Sequence, residues 1–141
     1  MKNLLFTGLF LFLGSFLMGQ SAVGTWKTVD DETGEAKSYI QVYEKGGELY
    51  GKVIEILTDK KDAVCSSCKG KNKNKKIVGM VVLEGVEKDG ENKWDDGKIL
   101  DPNNGKIYDV SLELVEKNKL KVRGYIGFSM LGRTQYWYRV K

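Results

Sequence analysis

Between residues 23 and 140 alternation of apolar and polar side chains with a period of two dominates, and no window of eleven or more residues carries a convincing helical apolar stripe. Tyr108, Val110, Leu112 and Leu114 share one face of 107–114, with Asp109, Ser111 and Glu113 on the other. Leu120, Val122, Ile126 and Phe128 line up in 119–128 with Gly124 in register, opposed by Lys119, Lys121 and Arg123. Ile40 and Val42 alternate with Tyr39, Gln41 and Tyr43. Successive strand residues point to opposite faces, so each run predicts a strand with one buried face. The segment 77–86, IVGMVVLEGV, is almost continuously apolar. It reads as a strand buried on both faces, or one whose outer face is covered by another segment or a partner.

Turn chemistry separates these runs. Asp31-Glu32-Thr33-Gly34, Lys45-Gly46-Gly47-Glu48, Asp89-Gly90-Glu91-Asn92 and Asp101-Pro102-Asn103-Asn104-Gly105 supply residues that accept positive φ or preset a turn. Strands are expected near 23–30, 37–45, 48–57, 77–88, 93–100, 106–115, 119–128 and 130–140. Joined in order they form a meander, and eight strands can close on themselves and remove their exposed edges. The fold class expected for residues 21–141 is therefore all-β: an eight-stranded antiparallel up-and-down barrel in one domain. An open sandwich is the alternative. A chain of 141 residues suits one domain.

Residues 1–20, MKNLLFTGLFLFLGSFLMGQ, combine a basic start at Lys2, an apolar stretch from Leu4 to Met18 and small or polar residues after it. This is the layout of a signal peptide, cut after Gly19 or Gln20. The alternative is a membrane anchor, but the stretch falls short of the roughly 20 residues that span a bilayer. The expected location is outside the cytosol, periplasmic or extracellular. In that compartment Cys65-Ser66-Ser67-Cys68 is expected to form a disulfide between Cys65 and Cys68. A redox pair of the thioredoxin type would open a helix, and KGKNKNKK follows here instead. A zinc site needs four ligands. With no histidine in the chain, imidazole ligation and Ser-His-Asp or Cys-His catalysis are excluded. No metal or cofactor is expected.

Segment 58–76 carries both cysteines and seven lysines. It reads either as a solvated connector pinned by its disulfide, or as a basic lid whose 69–76 stretch attracts an anionic envelope surface or acidic ligand. The net charge of +4 is too small and dispersed to indicate nucleic-acid binding.

Gly24-Thr25-Trp26 and a late arginine, Arg133 or Arg139, resemble the lipocalin-like (calycin) pattern. In that pattern an arginine covers a first-strand tryptophan and closes the barrel. Residues 22–141 resemble more closely an exported bacterial family, domain of unknown function 2147. The resembling segments are GTWKTVDDETG (24–34), VYEKGGELYGKV (42–53), DAVCSSCKG (62–70), ILDPNNGKIY (99–108) and KVRGYIGFSMLGRTQYWYRV (121–140). The resemblance implies a small exported lipocalin-like β-barrel and no particular activity.

Two functions follow. In the first, Ile40, Val42, Val110, Leu112, Val122, Ile126 and Phe128, with Tyr136 and Tyr138, line a cavity for a small apolar molecule or lipid. In the second, those side chains merely fill the barrel. The protein then acts as a cell-envelope interaction or structural module through its lysine loop and the outward Tyr39, Tyr43, Tyr50 and Tyr125. The carboxylates Glu84, Asp95, Asp96, Asp101 and Asp109 show no spacing that assigns acid–base work. Residues 123–134, although glycine-rich, lack the Lys-Ser/Thr ending of a phosphate loop. No catalytic residue is expected.

Overall fold

The computed structural model of the protein describes residues 21–127 and 131–140. Residues 1–20 and Phe128 lie outside them. Eight strands follow in order: β1 (Gly24–Val29), β2 (Ala36–Lys45), β3 (Glu48–Ile56), β4 (Val81–Lys88), β5 (Lys93–Asp101), β6 (Lys106–Glu116), β7 (Lys119–Tyr125) and β8 (Gly132–Arg139). Each pairs antiparallel with the next, and β8 returns to β1, so the sheet is a closed up-and-down barrel. Among the described residues the one helical piece is a 3₁₀ turn at Gly70–Asn72, and no helix is long and apolar enough to cross a membrane.

Register sets which side chains turn inward. Ile40 pairs with Trp26 and Val53, and Val42 with Gly51. Val110, Leu112 and Leu114 pair with Gly124, Val122 and Leu120, and Leu120 with Trp137. These residues form the inner face. In β4 and β5 the alternation slips by one residue at Gly85 (φ 65°) and Asp96 (φ 61°). Both Leu83 and Val86 are consequently buried, as are both Trp94 and Gly97. Bulges of this kind bend a strand and increase its twist, as a small closed barrel requires.

Two strand boundaries depart from the periodicity. β4 begins at Val81 rather than Ile77, because Gly79 takes φ +94° and turns the chain. β7 stops at Tyr125, so Ile126 leaves the inner face and stands 57% exposed.

The barrel has two unlike ends. At one, the short turns at 46–47, 89–92 and 117–118 join the strands beside Trp26. At the other stand the connections 30–35, 57–80, 102–105 and 126–131, of which 57–80 is the longest.

Candidate functional site

Barrel closure rests on a short β1–β8 ladder, Trp26 opposite Arg139 and Lys27 opposite Tyr138. Of the two candidate arginines, Arg139 covers Trp26, its guanidinium carbon 4.4 Å from the ring centroid. Its Nε donates to the Lys117 carbonyl (3.0 Å), Nη1 to Val23 (2.8 Å) and Nη2 to Ser21 (2.7 Å). One side chain thus ties the start of β1 to the β6–β7 turn. Burial lowers its pKa, but a guanidinium still keeps its charge. Gly24 opens β1 opposite Val42. Arg133 does not reach Trp26. It sits at the other end of β8, where its Nε donates to Asp31 Oδ2 (2.7 Å) and its Nη2 pairs with Oδ1. That contact holds the Asp31 carboxyl below the usual carboxylate range.

Ile40, Val42, Val110, Leu112 and Val122 are on the inner face and at most 5% exposed. They pack there with Trp26, Trp137, Leu83 and Leu120. The packing is tight at two of the three inward glycines, Gly51 and Gly97, while at Gly124 a Cβ would make only ordinary contacts, the nearest Tyr108 Cβ at 3.6 Å. A Cβ at Gly51 would meet Leu83 Cβ at 2.9 Å, and one at Gly97 would collide with Val86 Cγ2. Large side chains occupy even the space that these glycines leave.

Tyr136 and Tyr138 correct the expected lining. They pair with Lys121 and Lys119 on the outer face, and the Lys119 ammonium lies 4.7 Å from the Tyr136 ring centroid. In Tyr136-Trp137-Tyr138 neighbouring side chains must face opposite ways, and the larger indole takes the inside. Ile126, beyond the end of β7, is likewise not part of the lining.

The carboxylates are distributed over the outer face and the turns. Asp109 pairs with Lys98. Tyr125 donates from its hydroxyl to Asp95 Oδ1 (3.3 Å), and burial followed by that carboxylate raises the phenol pKa. Among the described residues no three His, Cys, Asp or Glu side chains converge as a metal site.

Two hollows lie outside the barrel, beside the lysine loop. Cys65 and Cys68 form the disulfide and are buried. The loop is ordered by its own short ladder: Val64 bridges Lys76, Cys65 N–H donates to the Lys75 carbonyl (2.8 Å) and Ile77 N–H to Ala63 (3.0 Å). It also packs on the β5–β6 turn. Cys65 Sγ lies 3.4 Å from the Pro102 carbonyl oxygen, and a Cβ on Gly105 would collide with the Ser67 carbonyl. This packing explains the continuous apolar run. Leu83 faces inward, while Val82 and, on β5, Leu100 face outward yet are buried beneath the loop.

The space between the loop and the sheet forms two adjoining hollows of about 550 and 280 Å³ that share Lys71, Asn72, Val81 and Glu84. The floor of this groove is Met80, Val81, Val82 and Leu100, with Ile107 at one edge. Its rim carries Lys69, Lys71, Lys75 and Lys76, all exposed and, among the described residues, without ion-pair partners. Glu84 is the carboxylate in the lining. An apolar floor under a cationic rim suits an amphipathic anion. The periodicity points to none of Met80, Val82, Leu100 and Ile107 as site residues. The apolar run at 77–86 signals a second covered face, but not which segment covers it.

No curated protein matches the chain in sequence. Among solved structures, HP1028 from the human pathogen Helicobacter pylori, described as belonging to the lipocalin family, superposes with a TM-score of 0.76 at 21% identity. The match covers 86% of this chain and 84% of that one. At such identity the likeness concerns the fold, which is lipocalin-like. The model of the family described as "Uncharacterized protein conserved in bacteria (DUF2147)" matches residues 24–139, from the first strand of the barrel to the last, and the chain belongs to that family.

Proposed function

We propose that the protein is an exported, non-catalytic binding module that holds a small anionic amphiphile in the groove outside β4 and β5, rather than inside the barrel. The groove carries this reading: four apolar side chains lie beneath four exposed lysines. A hydrocarbon chain laid on that floor gains about 25 cal/mol per Å² of apolar surface removed from water, and its acidic head meets the ammonium groups. The filled interior argues against an enclosed ligand. Export is supported by the layout of residues 1–20, and a disulfide suits an oxidising compartment. The scatter of the carboxylates over the outer face and the turns supports the absence of catalysis.

Dodecanoate tests the groove. Ligand at about a hundred times its Kd stabilises the folded state by about 2.7 kcal/mol, so the melting temperature should rise with dodecanoate and far less with dodecanol. Lys71→Glu with Lys75→Glu should abolish the rise. An equal rise with dodecanol that survives the charge reversal would overturn the proposal. N-terminal sequencing of the exported chain should begin at Gln20 or Ser21, and a chain still beginning at Met1 would refute export.

A further inference from the structure

We infer that the loop-bearing end of the barrel docks on an anionic lipid bilayer, with Ile107, Ile126 and Leu131 entering the headgroup layer beside the lysine loop. This goes beyond the groove: it shares the groove's rim lysines and Ile107, and adds Ile126 and Leu131, which do not line it. Isolated exposed hydrophobics are ordinary on a protein surface; these three stand toward the same end of the barrel. They are 64%, 57% and 74% exposed. Ile126 N–H donates to the Leu131 carbonyl (3.0 Å), which holds both at the foot of the β7–β8 hairpin. Asp109 pairs with Tyr125, the neighbour of Ile126, and Ile107 stands two residues further along β6 toward the same end. Ile107 in turn borders the hollow lined by Lys69 and Lys71.

Ile107 therefore adjoins a segment, 69–76, that holds five lysines and no acid. Lys73 donates to the Ser66 carbonyl from within the loop. Lys69, Lys71, Lys75 and Lys76 remain available to phosphates. Apolar side chains at a strand start and a hairpin foot, flanked by lysines, are the chemistry that a bilayer interface accepts. On the far side of β8, the acidic turn at 30–35 has Asp31 neutralised by Arg133 and Asp30 engaged by the Glu32 and Thr33 N–H groups. The remaining acids there tilt the contact toward the lysine loop.

The exported chain with its disulfide intact should float with vesicles of phosphatidylglycerol and phosphatidylcholine, and not with phosphatidylcholine alone. Each lysine near an anionic surface is worth roughly five-fold in partition. Lys69→Glu with Lys71→Glu should therefore reduce flotation by well over ten-fold. Raising the salt from about 0.1 to about 1 M, which shortens the Debye length from about 10 to about 3 Å, should release the protein. Ile126→Ser with Leu131→Ser should reduce partition about ten-fold or more. Both positions are exposed, and circular dichroism will verify that this variant folds. Neither lines the groove, so dodecanoate stabilisation should persist in it. Partition of this variant equal to that of the unmodified chain, or no flotation of the unmodified chain, overturns docking and leaves the groove untouched. Loss of dodecanoate stabilisation alone overturns the groove.

Discussion

Trp26 and Trp137 are both buried in the barrel, yet their indole N–H groups are placed differently. Trp26 Nε1 donates to the Ala22 carbonyl at 2.7 Å, whereas Trp137 Nε1 has no acceptor among the described residues. Leaving a buried polar group unpaired costs about 1–3 kcal/mol. Trp26→Phe would strand the Ala22 carbonyl, while Trp137→Phe would delete a donor already stranded. Urea unfolding should show Trp26→Phe to be the more damaging by about 1–3 kcal/mol; equal losses would contradict the assignment. The Arg133–Asp31 pair makes a prediction about pH. Because the folded Asp31 pKa lies below its unfolded value of 3.8, its contribution is complete above that value. It is lost as the pH falls through the lower folded one. The Asp31 carboxyl NMR shift, followed on acidification, should titrate below 3.8, and Arg133→Ala should return it to the ordinary range.

At the level of elements, the lysine loop depends on the β5–β6 turn against which it packs. Gly105 (φ +71°) faces the Ser67 carbonyl, whereas a Cβ on Gly34 (φ +73°) would have nothing within 4 Å. Alanine at either position incurs the left-handed backbone cost of about 1–2 kcal/mol, and only Gly105→Ala also displaces the loop. Gly105→Ala should therefore be the more destabilising and should raise amide exchange in 63–77; equal behaviour of the two variants would mean that the packing contributes nothing. Reducing the disulfide should loosen the same segment. It closes a very short loop, so loop-closure entropy gives it only about 2 kcal/mol, and the barrel should remain folded. The alternation of apolar residues marks most of these elements in the sequence, since a strand with one wet face must repeat every two residues. It leaves β4 ambiguous, because a strand covered on both faces has no alternation to read.

The whole molecule is a single closed sheet around a filled interior, so its parts should lose structure together. Tryptophan fluorescence and far-UV circular dichroism should give coincident unfolding curves, as two-state behaviour requires. Leu112→Ala, in the centre of the core at 2% exposure, should lower stability by about 2–5 kcal/mol without separating the two curves. Curves that separate would show that the loop end and the tryptophan-rich end fold independently.

The order of strands, their hairpin turns, the inward sets of β2 and β6 and the inward Leu120 and Val122 of β7 were present in the sequence, because side-chain alternation and turn geometry are local consequences of residue type. Three features belonged to the tertiary structure alone. Arg139 rather than Arg133 covers Trp26, because the two lie at opposite ends of β8 and only closure decides which end meets the start of β1. Trp137 rather than its tyrosine neighbours turns inward, because Leu120 and the rest of the core leave room there for an indole. The groove exists because a loop that is polar in sequence folds onto the outward Val82 and Leu100. Contacts between residues distant in the chain carry no periodic signature, so they become visible only when the sheet has closed.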